Sequence, residues 1–226
     1  MLKCLLFDLD GLLVDSEPLQ FRSYQYALSQ FGVSLDLDAW IQWHSVEAST
    51  TRWIRDQDLD LDPEAVRTVK KVHYDHLVAH ELELKPGAKE LVEMSSNEFK
   101  LGVVSSSRRE SIEGCLQKFN LHEKFSTFIS GAELKRSKPY PDSYLEALKV
   151  MNMAPENTIA LEDSVTGFKA ATAAGINCIV CPDHFIPKSN DAFADAILIV
   201  KSLHELNPER LRAAHTNGNN EHSGGP

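Results

Sequence analysis

Two aspartates separated by one residue follow an apolar stretch near the start of the chain, in the sequence Phe7-Asp8-Leu9-Asp10-Gly11. Because side chains alternate across a strand, residues two apart face the same way, so both carboxylates are expected to point together from a strand end. Gly11 then lets the chain turn away sharply. The alternative is an acidic turn that caps a helix, which would use the same residue types.

Hydroxyl groups and a lysine occur in two later segments. The apolar residues 101–104 lead into three consecutive serines at 105–107. Hydroxyls and free backbone amides at a strand end suit a phosphoryl oxygen, although serine-rich turns are also common. Lys138 lies in a loop that contains two prolines, and an ammonium group held by a stiff loop can neutralise a phosphoryl group.

A further apolar segment, residues 158–161, ends in the adjacent carboxylates Glu162 and Asp163. Hard oxygen ligands of this kind suit Mg²⁺, which takes only one or two carboxylates and keeps several waters. All four polar segments fall at the carboxyl ends of predicted strands or in the loops beside them. In an open parallel sheet that edge binds ligands, whereas unrelated helix caps would lie at both edges.

The elements that must position these residues alternate between short apolar strands and helix-length amphipathic segments. This pattern predicts an α/β fold with a doubly wound, mainly parallel sheet, whose strands we expect at residues 2–7, 101–104, 127–129, 158–161, 177–180 and 197–200. Residues 16–81 hold only helical segments, and we interpret them as an all-helical cap inserted as a lid. The core then comprises residues 1–15 and 82–212, and the polar residues 213–226 are expected to form a flexible tail.

The composition excludes several classes of protein. The chain has 226 residues, of which 42% are hydrophobic and 25% charged, as in a globular protein, and its formal net charge is −10. Such an acidic chain repels phosphate backbones and anionic lipids, so we expect neither nucleic acid nor membrane as a partner. Cys178 and Cys181 form a CxxC pattern inside an apolar segment, which we interpret as buried thiols in a reducing, cytoplasmic location.

The four polar segments together resemble the motifs of the haloacid dehalogenase-like (HAD) superfamily. The motifs are Asp8-Leu-Asp10-Gly11, Val104-Ser105-Ser106, Ser137-Lys138-Pro139 and Leu161-Glu162-Asp163. The resemblance extends from residue 2 to about residue 206. Residues 11–18 and 138–142 are similar to the β-phosphoglucomutase-like branch, in which a small helical cap follows the first strand of a Rossmann-like core.

The resemblance implies a role for each of these residues. Asp8 would be the nucleophile that becomes an aspartyl phosphate, and Asp10 would protonate the leaving group and then deprotonate the attacking water. Ser105, Ser106 and Lys138 would bind the phosphoryl oxygens. A Mg²⁺ cofactor would be bound by Asp8, the backbone carbonyl of Asp10, Glu162 and Asp163. The expected function is Mg²⁺-dependent hydrolysis of a small phosphate monoester, a sugar phosphate.

Two alternatives remain beside the phosphatase. A phosphosugar mutase of the β-phosphoglucomutase type would carry a cap histidine where this chain has Gln20 and a cap arginine where it has Val46. A non-catalytic phosphate-binding protein of the same fold would have no need of Asp10. His73, His76 and His80 share a helical face that we interpret as solvated rather than metal-binding. The sequence does not specify an oligomeric state.

Overall fold

The structure is a computed structural model that describes residues 1–45, 49–185 and 190–222. Within these residues, six strands are assigned: β1 (Cys4–Phe7), β2 (Lys100–Ser105), β3 (Thr127–Ser130), β4 (Thr158–Glu162), β5 (Asn177–Val180) and β6 (Leu198–Ile199). They form one sheet in the order β3-β2-β1-β4-β5-β6, and each neighbouring pair is parallel. The predicted α/β fold with a doubly wound parallel sheet is therefore confirmed.

Nine α-helices are assigned in the described part of the chain. Their bounds are α1 (Glu17–Ser29), α2 (Leu37–Ser45), α3 (Thr50–Asp56), α4 (Pro63–Glu81), α5 (Ala88–Ser95), α6 (Arg109–Lys118), α7 (Asp142–Met151), α8 (Val165–Ala173) and α9 (Pro208–His222). None of them, within the residues described, is long and apolar enough to cross a bilayer.

The chain divides into two compact units, which we call the sheet unit and the helical unit. The sheet unit comprises Met1–Val14, Leu84–Asp183 and the C-terminal segment, and the helical unit comprises Asp15–Glu83 with a short segment that begins at His184. The whole of β1 and β4 is buried. Strands covered on both faces are continuously apolar, which is why these segments could be recognised in the sequence.

The helical unit contains α1 to α4 and has its own apolar core. Its three tryptophans, Trp40, Trp43 and Trp53, are buried together, and the rings of Trp43 and Trp53 stack with centroids 4.6 Å apart. An ion pair between Arg22 on α1 and Glu81 at the end of α4 joins the two longest helices of this unit.

The C-terminal segment differs from the flexible tail expected for residues 213–226. Helix α9 continues to His222, and the remaining residues, 223–226, lie outside the described part. Leu211, Ala214 and His215 are buried, and Nε2 of His215 lies 2.9 Å from the carbonyl oxygen of Glu156. The polar composition was misleading because the helix docks through these few residues on the sheet unit.

Candidate active site

The first strand of the chain lies in the middle of the sheet, with β2 on one side and β4 on the other. The connections from β1 and its neighbours therefore leave in opposite directions, which opens a crevice at their carboxyl ends. Asp8 follows β1 directly, and its backbone amide donates to the carbonyl oxygen of Leu161 on β4 at 3.0 Å. The buried Asp8 side chain is thus held at the carboxyl end of the central strand.

Lys138 is the cation that the structure places against Asp8. Its Nζ donates to Oδ1 of Asp8 at 2.5 Å, to Oε1 of Glu162 at 2.6 Å and to the carbonyl oxygen of Val104 at 2.9 Å. Three acceptors match the three protons of an ammonium group. The side chain is buried, so one fixed positive charge is shared between two carboxylates.

Tyr144 on α7 is a further member of this group that sequence reasoning missed. Its hydroxyl donates to the same Oε1 of Glu162 at 2.5 Å, and its ring lies 5.3 Å from Nζ of Lys138. The side chains of Tyr144 and Glu162 are fully buried. Nothing in the sequence distinguished this tyrosine from an ordinary core residue of an amphipathic helix.

Asp10 lies in a different environment from Asp8. Its Oδ2 accepts hydrogen bonds from the hydroxyl of Ser105 at 3.2 Å and from the hydroxyl of Ser107 at 2.8 Å. Ser105 was expected to bind a phosphoryl oxygen, but here it contacts Asp10. Ser106, the other predicted phosphate ligand, is exposed to solvent.

Three carboxylates form the candidate cation site. The ligand oxygens of Asp8, Glu162 and Asp163 all lie within 4.8 Å of one another, and all three side chains are buried. Asp163 lies directly against the turn at Gly11, where a Cβ would overlap its carboxylate. Gly11 also has φ of +83°, so the turn after Asp10 requires glycine both for conformation and for space.

These residues fit a divalent cation such as Mg²⁺. Hard carboxylate oxygens are the ligands that Mg²⁺ prefers, and three buried carboxylates exceed the single charge of Lys138. Asp10 differs from these three carboxylates because its own carboxylate accepts hydrogen bonds from serine hydroxyls. Its predicted contribution to the cation site therefore depends on its backbone carbonyl.

Burial dominates the electrostatics of this cluster. Desolvation raises the pKa of Asp8 to about 8; Lys138 opposes the rise, and the carboxylates of Glu162 and Asp10 add to it. Burial acts to lower the pKa of Lys138, but the carboxylates of Asp8 and Glu162 outweigh it and raise that pKa above its ordinary value. Lys138 is therefore charged at neutral pH, and a further cation beside Asp8 would lower the pKa of that carboxyl group.

Two other patterns in the sequence do not form sites in the described residues. Cys178 and Cys181 are free thiols whose pKa values are raised by burial, that of Cys181 to about 11, so neither is a reactive thiolate at neutral pH. His76 and His80 are exposed, whereas His73 is half-buried and stacks on Tyr26 with ring centroids 4.1 Å apart. The three histidines belong to no cluster of metal-binding groups among the residues described.

Comparisons with known proteins identify the family. A sequence profile described as haloacid dehalogenase-like hydrolase matches residues 5–181. The chain is 32% identical to hexitol phosphatase B of Escherichia coli K12 over 220 residues, which cover 91% of this chain and 95% of that protein. It is 29% identical to the phosphorylated carbohydrates phosphatase of Thermotoga maritima over 211 residues, which cover 91% of this chain and 97% of that protein.

A solved structure agrees with these matches. The crystal structure of CbbY from Rhodobacter sphaeroides in complex with phosphate superimposes with a TM-score of 0.78 at 27% identity and covers 91% of this chain and 96% of that one. The profile match spans most of the chain, including Asp8, Lys138 and Asp163. The chain therefore belongs to the haloacid dehalogenase-like hydrolases.

Proposed function

We propose that this hydrolase is a Mg²⁺-dependent phosphatase that cleaves a small sugar phosphate through a phosphorylated Asp8. The observation that carries the proposal is the pair of aspartates in contrasting environments. Asp8 is buried against Lys138, whereas Asp10 is held by serine hydroxyls. Two carboxylates whose environments differ in this way can take different chemical roles in one reaction.

The first step transfers the phosphoryl group to the enzyme. A carboxylate oxygen of Asp8 attacks phosphorus, and the bond from phosphorus to the leaving oxygen breaks with its electron pair on that oxygen. Asp10, protonated at this stage, donates its proton to the leaving alkoxide. Lys138 offsets the negative charge of Asp8 and of the incoming phosphoryl oxygens, which would otherwise repel each other.

The second step regenerates the enzyme. The Asp10 carboxylate removes a proton from a water molecule whose oxygen attacks phosphorus. The bond between phosphorus and the Asp8 oxygen breaks, and its electron pair returns to the Asp8 carboxylate. Inorganic phosphate leaves, and Asp10 is protonated again for the next cycle.

Asp8, Glu162 and Asp163 would hold the Mg²⁺ ion, with the backbone carbonyl of Asp10. The ion supplies positive charge that the phosphoryl oxygens need when an anionic nucleophile approaches them. Its binding requires Asp8 to be deprotonated, which is also the form that can attack phosphorus.

The substrate class is supported by the relatives. Proteins named hexitol phosphatase B and phosphorylated carbohydrates phosphatase match nearly the whole chain. We therefore propose a phosphorylated sugar or sugar alcohol as the substrate. The four free cysteines suit a reducing compartment, so a cytoplasmic location stays our prediction.

A phosphosugar mutase is the second candidate, and one contact in the helical unit favours it. Oε1 of Gln20 accepts a hydrogen bond from Nζ of Lys70, which also lies over the ring of Tyr74 at 4.2 Å. The helical unit thus has a cation beside the position where the mutases carry a histidine. Val46, aligned with their arginine, lies outside the described residues.

The test of the proposed function measures phosphate release from a panel of sugar phosphates with Mg²⁺ present. We expect Asp8→Asn to lower kcat by at least about 10³-fold, because an amide is no nucleophile. Asp60→Asn is the matched control, since the same substitution there changes an exposed residue of the helical unit. Wild-type turnover by Asp8→Asn would contradict the assigned nucleophile.

A further inference from the structure

We propose that Ser107 is a positioning residue for proton transfer, because its hydroxyl holds the Asp10 carboxylate after Ser105 has turned to the phosphoryl group. The inference rests on the proposed phosphatase function, which makes Asp10 the general acid and base. Ser107 has no assigned role in that reaction.

The hydrogen bonds around Asp10 define the starting geometry. Ser105 and Ser107 both donate to Oδ2 of Asp10, and the bond from Ser107, at 2.8 Å, is shorter than that from Ser105 at 3.2 Å. An oxygen that already accepts two hydrogen bonds is a poor site for a proton. We therefore infer that the proton transferred in the reaction is carried by the other oxygen, Oδ1.

The number of hydroxyl protons limits what Ser105 can do. A serine has one hydroxyl proton, and the Oγ of Ser105 also accepts from the backbone amide of Ser107 at 3.0 Å. If Ser105 donates its proton to a phosphoryl oxygen, it no longer donates to Asp10. Ser107 then provides the hydroxyl that remains on Oδ2.

The loop that carries Ser107 is itself fixed. The hydroxyl of Ser130, at the end of β3, donates to the carbonyl oxygen of Ser107 at 2.8 Å, and Ser130 is buried. Ser107 therefore joins Asp10 to the rigid end of a neighbouring strand. A side chain on such a support restricts the orientation of the group it contacts.

A positioning role through Asp10 predicts a loss that depends on the leaving group. An alkoxide leaving from a sugar phosphate needs the proton of a general acid, whereas p-nitrophenolate is a good leaving group without one. Misplacing Asp10 should therefore slow phosphorylation of Asp8 by a sugar phosphate and spare phosphorylation by p-nitrophenyl phosphate. General damage to the phosphate site would slow both reactions equally.

The experiment measures the first turnover with p-nitrophenyl phosphate and with glucose 6-phosphate, in excess Mg²⁺. For Ser107→Ala we expect an unchanged burst of p-nitrophenolate but a first turnover of glucose 6-phosphate that is about 10- to 100-fold slower, because Asp10 becomes charged as it gives up its proton and loses the hydrogen bond that stabilises that charge. Asp10→Asn should show the same selectivity. Adding Ser107→Ala to Asp10→Asn should cause no further loss, because the two act as a unit.

The matched control is Ser111→Ala, which makes the same change at an exposed position in the first turn of α6 and should leave both reactions unchanged. The inference would be overturned if Ser107→Ala slowed the reactions of both phosphates equally, or if it left the first turnover of glucose 6-phosphate unaffected. A further loss in the double variant would also overturn it. A wild-type enzyme inactive on both phosphates and on the whole sugar phosphate panel would instead contradict the proposed function. Crystal structures of the wild type and of Ser107→Ala test the positioning role independently of the kinetics. An Asp10 carboxylate in the same position in both structures would refute that role.

Discussion

At the scale of single residues, the buried Asp8 determines how the site responds to pH. Its pKa of about 8 lies far above the ordinary value of an aspartate, mainly because of desolvation. A carboxyl group with a raised pKa stabilises the folded protein at low pH, and this contribution is lost as the pH rises through the folded-state value. As the pH rises from about 4 to about 8, the ionisation of Asp8 should therefore lower the stability of the cation-free protein.

We expect the melting temperature in EDTA to fall as the pH rises from 5.5 to about 8.5, and the fall to be smaller with saturating Mg²⁺, which replaces the lost proton. The Asp8→Asn variant removes the ionisable group, so its melting temperature in EDTA should change less over the same range. Differential scanning calorimetry makes the measurement. A wild-type protein that becomes more stable in EDTA as the pH rises would contradict this account of Asp8.

The two adjacent carboxylates at the end of β4 should contribute unequally to cation binding. Glu162 already shares Oε1 with Lys138 and Tyr144, whereas Asp163 lies against the turn that follows Asp10. We expect Asp163→Asn to weaken Mg²⁺ binding by at least about tenfold, and Glu162→Gln to weaken it less. Isothermal titration calorimetry measures both affinities without requiring turnover. A larger loss of Mg²⁺ affinity in Glu162→Gln than in Asp163→Asn would make Glu162 the main ligand.

Residue types and spacing predicted that Asp8, Lys138 and Glu162 lie together at this edge of the sheet, because strand ends in a parallel sheet converge. The partner of each hydroxyl was not predictable in the same way. Whether Ser105 contacts Asp10 or faces an incoming phosphate depends on rotamers that the sequence pattern does not specify. Tyr144 reaches Glu162 from a helix whose sequence predicts only burial.

At the scale of elements, the close approach of α8 to the end of β4 depends on a glycine. A Cβ at Gly167 would overlap the carboxylate of Glu162, which is fully buried and fixed by Lys138 and Tyr144. Ser164 caps this helix by accepting a hydrogen bond from the backbone amide of Gly167 at 3.1 Å. The start of α8 therefore cannot move away from Glu162 without breaking the hydrogen bond between Ser164 and the Gly167 amide.

We expect Gly167→Ala to displace Glu162, lower kcat by at least about tenfold and destabilise the fold by about 1–3 kcal/mol through overpacking. Gly114→Ala is the matched control, because Gly114 lies within α6 with open space around its Cβ position. There alanine should stabilise the helix by up to about 1 kcal/mol. Urea unfolding measures the change in stability, and phosphate release measures the change in kcat. Equal changes in Gly167→Ala and Gly114→Ala would contradict the packing argument.

Helix α9 shows where reading elements from sequence fails. The sheet strands are marked by continuous apolar residues, whereas the second half of α9 is mostly polar and resembles a disordered tail. Its order depends on contacts made by a few side chains, such as His215 with the carbonyl of Glu156. Such tertiary contacts override local composition and cannot be read from it.

At the scale of the whole molecule, the choice between phosphatase and mutase depends on how many phosphates the protein can bind. A mutase must hold a sugar bisphosphate intermediate, so it needs a second cationic site for the distal phosphate. The sheet unit offers Lys138 and the carboxylate cluster as one phosphate site. In the helical unit, the sequence suggested no cation at the aligned positions, but the structure places Lys70 beside Gln20.

We expect hydrolysis to be faster than isomerisation on β-glucose 1-phosphate, because Gln20 lacks the ionisable group that the mutases carry at this position. Two relatives that match most of the chain are also named as phosphatases. The assay follows inorganic phosphate and glucose 6-phosphate together, with a catalytic amount of glucose 1,6-bisphosphate present.

Substituting Gln20→His should raise the share of isomerised product if the missing histidine is what limits the mutase reaction. Val72→His, on an exposed face of α4, is the control that adds a histidine elsewhere in the helical unit. Faster appearance of glucose 6-phosphate than of inorganic phosphate in the wild type would identify the protein as a mutase.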